Sequence, residues 1–420
     1  MATSEKQHQR DRVTLCGSFG LGNAGDDAAY LAVEDLARAL GLQVEFDVAT
    51  RFPVADDPSV LSLGPADAER RASLRGQPLL YLGGGIIEPR ESATLFRTRR
   101  LVRELRPDDC NLFAASADSH RFVQYDWSAR LALLGVLRHC RRLFARDVLS
   151  AETIRMLAPF RRVEVVGDIV LWMNPDGDPP PQIAALGRYI TVSLAGVWRG
   201  EITWYEWLSR QLAEIARSLD AAVVFLPFCT RETDDDRTEH ARVADRLRRL
   251  DPSVRVLELD PRPPIRQAAT IQEHALLAIG MRLHACVMAY ARRTPAVGLT
   301  YHAKMHGFAR TVGWERFFPC APSPARHGTQ RYGFSFADTG LAECRLTRLA
   351  REALEHADFD KLGELRDRLA QAFADCLGVT LRSGALATCP EPASVSAAPP
   401  DPASAAAASF PSPPSDCCPY

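Results

Sequence analysis

Four side chains able to hold an anion or move a proton, Arg282, His284, His302 and Lys304, crowd into one stretch, ALLAIGMRLHACVMAYARRTPAVGLTYHAKMHGFARTVGW, from Ala275 to Trp314. A strand is expected to end near Gly280, with Arg282 and His284 opening the next helix. A second is expected to end near Thr300, with His302, Lys304 and His306 opening another. Cations and free helix N–H groups at neighbouring strand ends converge on an anion. Arginine pairs two oxygens in a plane, whereas lysine offers a compact charge. Histidine, with an unperturbed pKa of about 6.5, passes protons both ways near neutrality. A lone Arg at a helix start is ordinarily just solvated, but this cluster also contains Lys304, one of only three lysines (with Lys6 and Lys361) in a chain whose other basic residues are all Arg.

A second group of candidates lies near the start, in CGSFGLGNAGDDAAY, Cys16 to Tyr30. Gly20, Gly22 and Gly25 satisfy G-x-G-x-x-G, and Asp47 follows near the end of the next expected strand, the spacing of a dinucleotide fingerprint. Asp26 and Asp27 argue against it, since they occupy the helical turn where a pyrophosphate needs bare N–H groups, although they suit the helix dipole. Three readings stay open: an Asp-capped helix after a tight turn, a nicotinamide site, and a polar pocket in which Gly22, Asn23 and Asp26 face a hydroxylated ligand. A third glycine-rich turn, YLGGGIIEP from Tyr81 to Pro89, puts Gly84 where a ligand or another backbone can approach closely.

These loops need strands to position them. RVTLCG, LQVEFDV, PLLYLGGG, NLFAAS, RLFARD and VEVVGD read as strands, with a helix over AAYLAVEDLARAL. NPDGDPPPQ, Asn174 to Gln182, then breaks the pattern as a linker. Beyond it YITVSLAG, AAVVFLPF, VRVLEL, ALLAIG and PAVGLT read as strands, with helices over WYEWLSRQLAEIARSLD and 238–250 between several of them. The alternation predicts an α/β protein of two Rossmann-like parallel-sheet domains with a cleft between them, 12–177 and 185–380, joined near 174–185. The last helix, within 346–377, is expected to pack back across the N-terminal domain. Residues 1–11 and the Ala/Pro/Ser-rich tail 385–420 are expected to be disordered and the tail dispensable.

Composition excludes other classes. The 420 residues include 51 Lys plus Arg and 52 Asp plus Glu, a net charge of −1, so no broad field attracts nucleic acid. No apolar run suits a membrane span, and MATSEKQHQRDR lacks the apolar core of a signal peptide, so a cytoplasmic location is expected. Eleven scattered cysteines without a CxxC pair read as reduced thiols, and neither zinc nor another metal or cofactor is expected. No oligomeric state is assigned.

In order and spacing, G-S-F-G-L-G-N-A-G-D-D, L-G-G-G, R-D-x-x-S at Arg146 to Ser150, V-G-D-I-V-L, G-M-R-L-H-A and T-P-A-V-G-L-T-Y-x-x-K resemble the polysaccharide pyruvyl transferase family, from about Val13 to Phe318. The resemblance implies a GT-B-like fold and transfer of a pyruvyl group from phosphoenolpyruvate to hydroxyls of a sugar or glycan. It places Arg282 and His284 beside the donor, with Lys304 as a further anion contact, and turns Asn23 and Asp26 toward the acceptor. The chain departs from the family pattern at AASADSH, Ala114 to His120, and at Phe228 and Cys229, both at strand ends. His284 is then expected to carry the proton, Asp26 to orient or deprotonate the acceptor, and Arg282 and Lys304 to clamp the donor. The alternatives are a nucleotide-sugar glycosyltransferase of the same fold and a binding protein that has lost the acceptor pocket.

Overall fold

A computed structural model describes residues 12–17, 19–20, 22–49, 74–83, 99, 102–107, 109–117, 127–319, 336 and 341–381. Gly84, the N-terminal 1–11, the tail 385–420 and residues 118–120 lie outside the described residues.

The first half contains β1 (Arg12–Cys16), α1 (Ala24–Ala39), β2 (Glu45–Ala49), β3 (Leu79–Leu82), β4 (Cys110–Ala115), α2 (Trp127–Leu137), β5 (Cys140–Ala145), α3 (Val148–Leu157) and β6 (Glu164–Val165). These strands form one sheet in the order β2-β1-β3-β4-β5-β6, and every pair is parallel. Near-continuous apolar runs are what a parallel sheet buried on both faces requires. Leu79, Tyr81, Leu112, Leu133 and Ile154 fill one side. Val13, Leu15, Leu80, Phe113 and the α1 residues Leu31 and Leu36 fill the other.

After the 3-10 turn Ile169–Trp172 the chain crosses through residues 174–180, tied down on its way: Asn174 N–H donates to Asp35 Oδ2 at 2.8 Å and Asp176 N–H to Thr270 Oγ1 at 3.0 Å. The second half then runs β7 (Tyr189–Ser193), α4 (Ile202–Leu219), β8 (Ala222–Phe225), β9 (Thr230–Arg231), β10 (Asp234–Asp235), α5 (Asp236–Leu250), β11 (Val256–Glu258), α6 (Ile265–Glu273), β12 (Leu277–Gly280), α7 (Leu283–Ala291), β13 (Ala296–Gly298), α8 (Ala303–Val312), α9 (Leu346–His356) and α10 (Asp360–Leu377). Its sheet, β11-β8-β7-β12-β13, is again all parallel, while β9 and β10 make a separate antiparallel hairpin.

The two sheets share one core. Helix α1 is buried on nearly every side because it packs against Ile169–Trp172 and against α6 and α7 of the second half. Asp35 of α1, almost fully buried, accepts from both terminal guanidinium nitrogens of Arg266 from α6, at 2.5 and 3.0 Å. Helix α10 returns to the first sheet. Its Phe373 ring meets Phe113 of β4 at 5.8 Å, Trp172 Nε1 donates to the Arg366 carbonyl at 3.0 Å, and Arg142 of β5 pairs with Asp375 at 2.6 Å.

Each sheet changes direction once, between β1 and β3 in the first and between β7 and β12 in the second. The crevice outside the carboxyl ends of strands at such a switch point is where ligands bind in open α/β sheets. The glycine loop follows β1 and Arg282 follows β12, so both candidate segments leave from these points.

Candidate active site

The glycine loop bends where it must. Gly22 has φ +73°, a left-handed conformation that favours glycine, and its carbonyl accepts from Thr230 N–H at 3.0 Å. Asn23 caps α1, its Oδ1 accepting from Gly25 N–H at 3.1 Å, and Ala24 N–H donates to the Phe228 carbonyl at 2.8 Å. Asn23 and Cys229 thus pair across the two halves as an antiparallel bridge. The departing residues Phe228 and Cys229 are therefore part of the seam between the halves, both buried, and burial pushes the Cys229 thiol above its usual range.

The acidic residues that bear on the dinucleotide reading, Asp27 and Asp47, both have partners within the protein. Asp27, fully buried, takes the Gly20 N–H on Oδ1 at 2.6 Å, so this loop donor is already engaged where a pyrophosphate would need it. Asp47, in β2 beside Thr14 of β1, is held by Nη2 of Arg12, the first residue of β1, at 2.9 Å. Asp26 has its Oδ2 bonded to Asn23 Nδ2 at 2.9 Å and faces Arg231 at 3.6 Å.

Arg282 stands at the N-cap of α7 rather than in its first turn. Its guanidinium donates to Asp236 Oδ1 through Nε at 2.9 Å and Nη2 at 2.5 Å, and to Asp234 Oδ2 through Nη1 at 3.0 Å. An incoming dianion would compete with two carboxylates, one of them fully buried. Asp236 also accepts N–H bonds from Phe228 and Cys229, both at 2.9 Å, yet burial pushes its carboxyl up to about 6. Arg282 in this state pins the hairpin and the seam together. The polar run ETDDDR gave no sign of this, because such a run ordinarily reads as a solvated face.

His284, in the first turn of α7, presses its ring on Gly25 so closely that a Cβ there would overlap the imidazole, Nδ1 first. Gly25 is thus required for close approach. The opposite ring nitrogen, Nε2, lies 3.5 Å from Asp168 Oδ2. Asp168 belongs to the V-G-D segment and caps Ile169–Trp172, with Oδ1 accepting from Val170 N–H at 3.0 Å. Burial alone would raise its carboxyl, but His284, Arg146 and the Val170 N–H outweigh that and hold it below the usual range. Arg146, buried, reaches Asp168 at 3.8 Å, Asp147 at 3.0 Å and Ser116 Oγ at 2.7 Å. Ser116 follows a bulge at which Ala114 adopts φ +49°, in the described part of the departing AASADSH segment. Arg146 and Asp168 were visible in the sequence as motif residues, without a role.

Lys304 lies in the first turn of α8, half-buried, and among the described residues its ammonium has no ion-pair partner. His302 caps the same helix, its Nδ1 accepting from Lys304 N–H at 3.3 Å. One turn further, Gly307 lets α8 sit against Asp147, whose Oδ1 would be 2.5 Å from a Cβ there. Lys304 stands at a helix N-terminus, an end that itself favours an anion. No group of three or more His, Cys, Asp or Glu among the described residues could hold a metal ion, and no described helix is long and apolar enough to cross a membrane.

Residues 23–303, which span the glycine-loop cap, the Arg146–Asp168 pair and His284, match the family described as polysaccharide pyruvyl transferase. The chain belongs to that family. It is a transferase family, and the fold agrees with a GT-B-like arrangement of two Rossmann-like sheets. The structure is similar to the Staphylococcus aureus MnaA–UDP complex, with TM-score 0.52 and 11% identity over 88% of this chain and 98% of that one. It is likewise similar to a UDP-N-acetylglucosamine 2-epimerase, so described, of Listeria monocytogenes, with TM-score 0.52 and 14% identity over 86% and 91%. At such identities the likeness concerns the fold of this pyruvyl transferase family member. Among curated proteins, none matches its sequence.

Proposed function

We propose that the chain transfers the pyruvyl group of phosphoenolpyruvate to two hydroxyls of a sugar or glycan precursor, forming a ketal and releasing phosphate. The observation that carries this reading is the meeting of His284 with Gly25 at the seam, which sets a proton carrier against the loop of Asn23 and Asp26. On this reading residues 12–177 serve the acceptor, residues 185–380 serve the donor, and the enzyme works in the cytosol, the compartment that suits cysteines that form no disulfide among the described residues.

The chemistry needs four events. A proton adds to the methylene carbon of the donor and leaves a cationic centre at the neighbouring carbon. One acceptor hydroxyl attacks that centre and loses its proton. The carbon–oxygen bond to phosphate then breaks, and the second hydroxyl closes the ring, its proton leaving with the phosphate. His284 delivers the first proton, and Asp26 orients the first hydroxyl or takes its proton. Lys304 and the α8 N-terminus hold the charge that grows on the leaving phosphate. His302 shapes that end of α8, while Gly22 lets substrate approach backbone. Arg282 joins the donor contacts only by giving up a carboxylate partner.

The test is incubation with phosphoenolpyruvate and a panel of sugars, nucleotide sugars and glycan precursors. Phosphate release in step with a new ketal methyl signal in proton NMR is the expected result. Turnover of a nucleotide sugar with phosphoenolpyruvate untouched would replace this reading with the glycosyltransferase alternative.

A further inference from the structure

Asp168 is in an unusual position for a carboxylate. It is 4% exposed, Oδ1 is used by the Val170 N–H, and Oδ2 is buried without a hydrogen-bond partner. A buried anionic oxygen is costly unless a donor faces it. Two candidates do, His284 Nε2 at 3.5 Å and Arg146 Nε at 3.8 Å, and the arginine already donates to Asp147 and Ser116. The other side of the imidazole meets a different field. Nδ1 abuts Gly25 in the first turn of α1, the end of a helix that carries partial positive charge and disfavours an N–H pointed at it. The same turn carries Asp26, which is bonded to Asn23 and faces Arg231, and Asp27, which accepts from Gly20 N–H.

We infer that Asp168 is the positioning residue of the proton carrier: it holds His284 with its resting proton on Nε2, so that Nδ1, on the glycine-loop side, is the nitrogen that gives and takes protons. The carboxylate on one side and the helix end on the other select the same tautomer. When His284 is doubly protonated, the proton on Nδ1 faces the positive helix end and is the one released, while the proton on Nε2 stays with Asp168. The 3.5 Å separation is the loose form of a contact that tightens when the ring is charged. This assignment deepens the pyruvyl-transfer reading and rests on it for the identity of the substrates, but the tautomer itself does not.

Asp168→Asn is expected to reverse the tautomer. The amide oxygen takes the place of Oδ1 to keep the Val170 N–H bond, and the NH2 group takes the place of Oδ2. A donor then faces Nε2 and drives the ring proton to Nδ1. Nitrogen-15 NMR of histidine-labelled full-length protein, at a pH above the ring's titration and with the His284 signals assigned by their loss in His284→Gln, reads this directly. Wild type is expected to show a protonated Nε2 and an unprotonated Nδ1, and Asp168→Asn the reverse. The variant's kcat is expected to fall by about a hundred- to ten-thousandfold, the usual contribution of a positioned acid–base group, with KM for phosphoenolpyruvate changed less than about threefold. Protonated Nδ1 in wild type overturns the inference even if the variant does not fold, and so does an unchanged tautomer in a folded variant. The NMR result needs no turnover, so failure of the pyruvyl reading would appear separately, as inactivity with phosphoenolpyruvate beside the expected tautomer.

Discussion

At the residue scale, Arg282 and Lys304 look alike in sequence and differ in the structure. Both follow a strand end and both belong to a helix start. The guanidinium of Arg282 is committed to Asp234 and the fully buried Asp236, whereas the ammonium of Lys304, at the α8 N-terminus, has no ion-pair partner among the described residues. Loss of each charge should therefore be felt in a different quantity. Arg282→Ala strands a buried carboxylate, which typically costs about 3 to 5 kcal/mol. The loss should be largest at neutral pH and smaller below about pH 6, where Asp236 takes up a proton instead. Urea denaturation of the variant at pH 7.5 and pH 5, each against wild type, checks this. A variant as stable as wild type at both would show that the pair contributes nothing to the seam.

At the element scale, the parallel sheets were legible because each of their strands is a short apolar run followed by a turn or helix start, and all eleven of those runs form strands as read. The β9–β10 hairpin was not legible. Its residues, Thr230 to Asp235, are polar and its strands are two residues long, and its partners are Gly22 and Arg282, distant in sequence. The return of α10 to the first sheet follows from its length and apolar face, but its anchors at Trp172 and Arg142 depend on tertiary placement. His240 of α5 shows the same limit. Among the charges of that helix it reads as solvated, yet it is buried and accepts the Leu194 N–H at 3.0 Å just beyond β7.

His240 also makes a pH prediction. Burial, with the charge of Arg282 acting in the same direction, holds its pKa down at about 3. Because the unfolded chain binds this proton near pH 6.5 and the folded one does not, the stabilisation is complete above about 6.5 and is lost as pH falls toward 3. Asp236, raised to about 6, acts oppositely, gaining a proton in the folded state between about 6 and 4. The wild-type curve contains both, so the difference from His240→Gln isolates the histidine. The advantage of wild type over this variant should shrink by up to about 1.4 kcal/mol per pH unit below pH 6.5. Equal slopes from pH 7.5 to 4.5 would mean that His240 titrates while the protein stays folded.

At the scale of the whole molecule, the two switch points face one seam, and several of the family's motif residues meet there from both halves. The glycine loop is bonded to the 228–230 segment, His284 rests on Gly25, and the Arg146–Asp168 pair stands behind it. The order of motifs in the sequence was enough to indicate the fold and the family. Which face of each side chain is in use was not, since that depends on tertiary contacts, some within fifty residues, as between Arg282 and Asp236, and others more than a hundred apart, as between His284 and Asp168. Pyruvyl transfer by this chain therefore requires that it bind phosphoenolpyruvate. Calorimetric titration of the full chain with phosphoenolpyruvate, repeated with Lys304→Ala, tests it most directly. Wild type should bind, and the variant should bind roughly ten- to a hundredfold more weakly, the factor that corresponds to losing one charged hydrogen bond of about 1.5 to 3 kcal/mol. No heat with phosphoenolpyruvate, together with saturable binding of a nucleotide sugar that Lys304→Ala abolishes, would contradict it.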